Sequence, residues 1–229
     1  MNIEFRKILE GYGLRPQKEA FYRTAFTHRS FLNEVKVAIE SNERLEFLGD
    51  VVLSFIISSY LFEIRPQDKE GDLTNLRAYI VKTDSLARVA KQLNLGHYLK
   101  LSRGEELSGG RDNSQLLANT YEALLGAIFL DLGLEPTRKF VEATLLPLFV
   151  QEVEKGAPRD PKSQLQEVAQ NKLQTSPKYK ILQTSGPDHA KQFTVGVFVQ
   201  GEQIGQGAGS SKQQAEEEAA KEALIKLTK

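Results

Sequence analysis

The stretch NERLEFLGD, Asn42 to Asp50, carries three acidic side chains at positions 43, 46 and 50. On a helix, spacings of three and four put Glu43, Glu46 and Asp50 on one face, where like charges repel. Gly49 adds a further cost of roughly 1 kcal/mol relative to alanine in a helix interior. Something outside the helix has to offset both. Further on, ANTYEALLGAIFLD sets Asn119 and Glu122 three apart, again on one helical face, in an otherwise apolar stretch. Four oxygen-bearing side chains from two helices could then converge on a divalent cation, because carboxylate oxygens are the ligands Mg²⁺ prefers. The apolar neighbours Leu45, Phe47, Leu48, Val51 and Val52 imply packing on more than one side, where paired acids need a compensating cation. The other reading, a solvated acidic face or for Glu122 the one polar edge of a core helix, stays open on the spacing alone.

The elements that must position these groups are helical from the start to about Lys155. The segments EFRKILEGYG, KEAFYRTAFTH, NERLEFLGDVVLSFIISSYLFEI, LTNLRAYIVKTDSLARVAKQLN, SQLLANTYEALLGAIFLDLG and PTRKFVEATLLPLFVQEVEK repeat apolar residues at three and four, and no strand signal interrupts them. Gly156, Pro158 and Pro161 then break the pattern, which predicts a helical domain over 1–155, a linker over 156–160 and a second domain over 161–229. In the second, Asp160 caps a helix with Pro161 at its first position and Leu165, Val168, Ala169 and Leu173 as its apolar stripe. Three strand-like runs follow, KYKILQT, KQFTVGVFVQ and EQIGQGAG, with turns at Gly186–Pro187 and Gly201–Glu202. A last helix runs from about Lys212 to Leu227, with Ser211 and Gln214 as a capping box. The predicted fold is an all-α domain followed by a small α+β domain of order α-β-β-β-α.

Composition bounds the chemistry. The 229 residues contain no cysteine, which excludes disulfides, thiolate-bound zinc and a thiol nucleophile, and suits a reducing, cytoplasmic setting. The most apolar run, VVLSFIISSYLF, is about twelve residues, short of a membrane span, so neither export nor membrane insertion is expected. Thirty basic and thirty acidic side chains give zero net charge, so any nucleic-acid binding must come from local patches.

NERLEFLGD closely resembles the signature of bacterial ribonuclease III. AFTHRSFLNE before it, GDLTNLRAYIV after it and GGRDNSQLLANTYEALLGAIFLD agree in order, and the C-terminal segment is similar to a double-stranded-RNA-binding domain. The resemblance implies a Mg²⁺-dependent endonuclease, with Mn²⁺ as a substitute, that hydrolyses double-stranded RNA to 5′-phosphate and 3′-hydroxyl ends with short 3′ overhangs, processing ribosomal-RNA precursors and other structured transcripts. It also implies a homodimer through the helical domain, each subunit cutting one strand. By motif position, Glu46 resembles a metal ligand, Asp50 a ligand and catalytic acid residue, and Glu122 the central catalytic and metal-binding carboxylate, with Glu43 and Glu70 in supporting roles. Asn119 departs from the family, which usually has aspartate there. Its amide oxygen still ligates Mg²⁺, but a negative charge is gone and no base remains. The alternative implied is a weakened or silenced double-stranded-RNA-binding protein.

For RNA, the resemblance points to Ser163, Gln166 and Glu167 on the first helix of the second domain, to Pro187, Asp188 and His189 in the GPDHA turn, and to Lys212 at the start of the last helix. Such domains read A-form RNA by shape over about 16 base pairs. The family's lysine pair is here Lys212 followed by Gln213 and Gln214, and from Asp160 onward nine lysines face eight acids, so salt-sensitive but weaker binding is expected. Arg111 and Lys191 are further candidates for backbone contact. His28, in FTHRS, is read as a structural residue at a helix end, outside the site.

Overall fold

The computed structural model describes residues 3–36, 38–156, 160–187 and 191–227. The chain forms two compact units, Met1–Ala157 and Pro158–Lys229. The first consists of α1 (Ile3–Gly11), α2 (Glu19–Ala25), α3 (Glu43–Ile64), α4 (Glu70–Ile80), α5 (Thr83–Gln92), α6 (Arg103–Leu107), α7 (Ser114–Leu132), α8 (Leu134–Thr144) and α9 (Val150–Lys155), joined in places by short 3₁₀ turns. Two predicted helices turn out to be divided. The run from Leu73 to Asn94 breaks where Lys82 adopts extended geometry (ψ 154°), and the Ser85 hydroxyl donates to the freed Tyr79 carbonyl at 3.1 Å. The run from Pro136 to Lys155 breaks at a 3₁₀ turn around Pro147, which has no N–H to continue a helix.

α7 is the centre of this unit. Its residues Leu117, Ala118, Thr120, Tyr121 and Ala123 through Ile128 are buried, and the Asn113 side chain caps its start by accepting from the N–H groups of Gln115 and Leu116. A helix apolar nearly all round can only lie inside others. α3 crosses it in the most extensive pairing of elements in the unit. The crossing explains Gly49: a Cβ there would fall 1.8 Å from the Glu122 carbonyl oxygen, and one on Gly126 would fall 2.3 Å from the Leu45 carbonyl oxygen. Backbone meets backbone, so any side chain at either position would drive the helices apart. The cost of an interior glycine is therefore offset by close packing, independent of any cation.

α3 is also longer than its twelve-residue apolar run. An 18-residue stretch of it has mean hydropathy 1.7, so α3 is long and apolar enough for a span by length and composition alone, which the twelve-residue run did not suggest. One flank, with Leu53, Ile56 and Ile57 fully buried, belongs to the core of this unit, while Phe47, Val51, Phe55 and Phe62 on another are exposed.

The second unit has the predicted order: α10 (Pro161–Leu173), β1 (Lys178–Ser185), β2 (Gln192–Val199), β3 (Glu202–Gly209) and α11 (Lys212–Leu227), its strands forming an antiparallel sheet β1-β2-β3. Asp160 caps α10, accepting from the Ser163 N–H at 2.9 Å. The β2–β3 turn lies at Gln200 and Gly201 (φ 52° and 90°), one residue earlier than expected. Two successive left-handed residues match the twist of a tight hairpin, and a glycine second is the usual choice. At α11, Ser211 accepts the Gln214 N–H as predicted, but the Gln214 side chain reaches back to Ser210 instead of closing the box on Ser211. The small core is Leu165 and Val197 against Ala219, Ala220 and Ala223. β3 carries no bulk toward α11: a Cβ on Gly205 or Gly207 would fall 2.4 or 2.2 Å from the backbone of Ala219.

Candidate active site

The α3–α7 crossing opens on a cleft of about 600 Å³ whose walls include Glu43, Glu46, Asp50, Asn119 and Glu122. Four of the expected ligand positions, Glu46, Asp50, Asn119 and Glu122, therefore share one cleft, with the supporting residue Glu43 at its side. Glu70 does not join them: it sits in the first turn of α4, where it accepts from the Thr74 hydroxyl at 3.1 Å.

The cleft's electrostatics follow from its acids. Burial pushes the Glu122 carboxyl up to about 7, and the charges of Asp50 and Glu46 push the same way. Glu46 is also raised, by burial first and then by Glu43, while a hydrogen bond from Asn119 and the charge of Arg29 partly offset this. Asn119 thus has a definite place: its oxygen accepts from Gln115 Nε2 at 2.7 Å, and its amide supports the Glu46 carboxylate. Aspartate could give that carboxylate no such hydrogen bond. At the mouth, Glu43 accepts from the Ser41 hydroxyl at 2.9 Å and lies 3.6 Å from Arg29.

The donors are all oxygen, which suits a hard divalent cation, and the raised carboxyls of Glu46 and Glu122 are what a site shaped for such an ion shows without its charge. Among the described residues, however, no three His, Asp or Glu side chains are gathered at metal-ligand spacing. The acids line a common space. The fit is one of donor chemistry and charge.

Six wall residues were not expected at the site: His28, read as structural, Arg29, Asn42, Phe47, Gln115 and Leu116. Gln115 stands four before Asn119, so helical periodicity points to it. His28 and Arg29 reach the cleft through a parallel bridge between Thr27 and Lys100, which local sequence does not encode. Arg111 donates to the carbonyls of Gly96 (2.8 Å) and Leu99 (2.9 Å) and pairs with Glu106 (2.8 Å), so it fastens a loop of the helical unit.

In the second unit Ser163, Gln166 and Glu167 are exposed on α10, and the Ser163 hydroxyl donates to Asp160 at 2.8 Å. Pro187, Lys191 and Lys212 are exposed, Lys212 as the first residue of α11. Asp188 and His189 lie outside the described residues.

Fold and cleft together define a class: a helical nuclease domain followed by a double-stranded-RNA-binding domain. The Ribonuclease-III-like family profile matches residues 18–148, and that of the double-stranded RNA binding motif matches residues 161–227. The chain is 47% identical to Ribonuclease 3 of Pelotomaculum thermopropionicum over 215 residues, covering 93% of this chain and 89% of that protein. It is 44% identical to Ribonuclease 3 of Lactococcus lactis subsp. cremoris (strain MG1363) over 220 residues, covering 96% and 95%. Among solved structures, the nuclease domain of ribonuclease III from Campylobacter jejuni, which has a region involved in dimer formation, superimposes with a TM-score of 0.59 at 36% identity, covering 65% of this chain and 99% of that one. The chain belongs to the ribonuclease III family.

Proposed function

We propose that this chain is a Mg²⁺-dependent endoribonuclease that hydrolyses double-stranded RNA, leaving 5′-phosphate and 3′-hydroxyl ends with short 3′ overhangs, and that it processes ribosomal-RNA precursors and other structured transcripts in the cytoplasm. The observation that carries the reading is the meeting of Glu46, Asp50, Asn119 and Glu122 in one cleft of a ribonuclease III-type domain. These four would hold Mg²⁺, or Mn²⁺ in its place, through oxygen. Bound there, the ion supplies an activated water, charge stabilisation on the non-bridging phosphate oxygens and help for the departing 3′ oxygen. The chain's residues do the rest. Asp50 and Glu122 act as the catalytic carboxylates, and Asn119 holds Glu46 in place. Glu43 keeps Arg29 at the cleft mouth, where a cation meets the RNA phosphates. Glu70 supports cleavage from outside this cleft. In the second unit Ser163, Gln166 and Glu167, together with Pro187, Asp188 and His189, and Lys212 at a helix N-terminus take the duplex backbone.

The working unit is a homodimer through the helical domain. Phe47, 75% exposed, stands beside Val51 and Phe55 on successive turns of α3, next to a largely apolar hollow walled by Phe21, Leu45, Leu48 and Leu130. An apolar stripe of this kind marks an association surface, and a second copy of the chain supplies a matching one.

Asn119 favours one other reading, a duplex-RNA-binding protein with weakened or silenced catalysis. The test of both is cleavage of a long RNA duplex with Mg²⁺, with EDTA as control, for the unaltered chain and for Asn119→Asp. Mg²⁺-dependent fragments from the unaltered chain establish the enzyme. Binding without cleavage until aspartate is introduced establishes the silenced form, and no duplex affinity in either chain defeats both.

A further inference from the structure

His28 is built into the wall of the acidic cleft with one edge of its ring committed and the other left open. Its peptide is pinned at the Thr27–Lys100 bridge, where the His28 N–H donates to the Lys100 carbonyl at 3.1 Å and the Lys100 N–H to the Phe26 carbonyl at 2.8 Å. The ring is pinned in turn. Nδ1 accepts the Ser30 backbone N–H at 3.3 Å and lies 2.8 Å from the Ser30 hydroxyl oxygen. That oxygen accepts the Ser102 N–H at 3.0 Å. A nitrogen that accepts a backbone N–H cannot itself be protonated, so the ring proton sits on Nε2. Nε2 has no hydrogen-bond partner among the described residues.

We propose that His28 is a substrate-contacting residue of this site, a neutral donor whose Nε2–H takes a backbone oxygen of the RNA strand being cut. The inference rests on the function proposed above. Among the other walls, Glu43, Glu46, Asp50 and Glu122 present acceptors that repel a phosphodiester, Asn119 and Gln115 bond to each other, and the charged donor Arg29 stands at the mouth beside Glu43, which leaves His28 as an open uncharged donor. An uncharged donor on a fixed ring adds orientation without joining the competition for charge. Burial holds the ring below the ordinary histidine value against the charges of Glu105 and Glu43, with Arg29 adding to the lowering, so the neutral form prevails at pH 7.

The test is a pair of variants in the full chain, cutting a duplex RNA in Mg²⁺ in both the unaltered and the Asn119→Asp background. His28→Asn keeps a side-chain acceptor for the Ser30 N–H, since asparagine is a good helix cap, but has no donor where Nε2 was. His28→Gln places its amide nitrogen near the Nε2 position. Expected are an unchanged melting temperature for both, a fall in kcat/KM of about tenfold for His28→Asn, and recovery to within about threefold for His28→Gln. Duplexes with 2′-deoxy nucleotides flanking the cut then identify the oxygen. A penalty shared between deoxy substitution and His28→Asn assigns the 2′-hydroxyl, whereas additive penalties assign a phosphate oxygen. His28→Asn cutting within twofold of the unaltered chain, or equal losses in the two variants, overturns the inference while the proposed function stands. A chain that cuts no duplex in either background overturns both.

Discussion

In both units two elements touch backbone to backbone through glycine, but what the contact holds differs. At Gly49 and Gly126 it joins two helices that carry acids, inside a core of leucine, isoleucine and phenylalanine. At Gly205 and Gly207 it seats α11 on β3 over a core made mostly of alanine. The first unit has enough apolar burial to carry half-buried carboxyls such as Glu122, whose raised pKa records the cost. The second keeps its candidate RNA-facing groups, Gln166, Glu167 and Lys212, exposed and leaves its interior apolar. Bond hydrolysis at a metal needs charge concentrated in a restricted space, whereas reading a duplex by shape needs only polar groups set at the right separation.

The sharpest way to break this contrast is Glu122→Gln, which keeps volume and removes charge. Cleavage should fall roughly 10²–10³-fold while duplex affinity holds, since one preorganised electrostatic group of a catalytic site is worth about that much. Unfolding of the metal-free protein supplies the sign. The folded carboxyl titrates at about 7, above the ordinary 4.5, so its penalty is full above pH 7 and gone below pH 4.5. The stability of Glu122→Gln relative to the unaltered chain should therefore drop by about 2 kcal/mol from pH 8 to pH 4.5, after discounting for solvent at the cleft mouth. A flat difference would mean that Glu122 is solvated in solution.

Next in size is the pair Gly49→Ala and Gly207→Ala. The first should destabilise the helical unit by about 3 kcal/mol or more and abolish cleavage, because the clashing atom is a carbonyl oxygen of a core helix. The second should cost about 1–3 kcal/mol and lower hydrogen-exchange protection in the second unit alone. Equal loss of protection in both units from either variant would erase the distinction. Phe47→Asp addresses the exposed apolar stripe of α3, where Phe47 also borders the acidic cleft. It should raise the dimer dissociation constant at least about thirtyfold, the effect of losing an aromatic anchor, as read by sedimentation at micromolar concentration. The smallest effect expected is that of Lys212→Ala, a threefold or so loss of duplex affinity with the salt slope reduced by about one contact and the cleavage rate at saturating RNA unchanged.

Much of this was written in local sequence. Asp160 and Pro161 set the start of α10 as predicted, strand-like runs bounded by turn residues marked the three strands, and spacing put Glu46 with Asp50 and Asn119 with Glu122. Other features needed the folded chain. The break at Lys82 has neither glycine nor proline to announce it, and it separates α4, which packs on α3, from α5, which packs on α7. Gly49 shows as a cost on its own helix, and its reason lies 73 positions away in the Glu122 carbonyl. His28 is the helix-end residue its sequence suggested, capping the 3₁₀ turn Arg29–Glu34, and its place in the cleft wall, beside the Lys100 segment, is what the sequence did not show.

Sequence by itself determined that a helical segment precedes one of order α-β-β-β-α and which acids share a helical face. Periodicity is a property of one continuous segment, and those features are too. Only tertiary structure decided that the two acidic faces look into one space, that Asn119 supports Glu46, and that His28, Arg29 and Gln115 stand around them. Those relations depend on the angle and distance at which separate segments cross, and close packing of side chains from many elements fixes both.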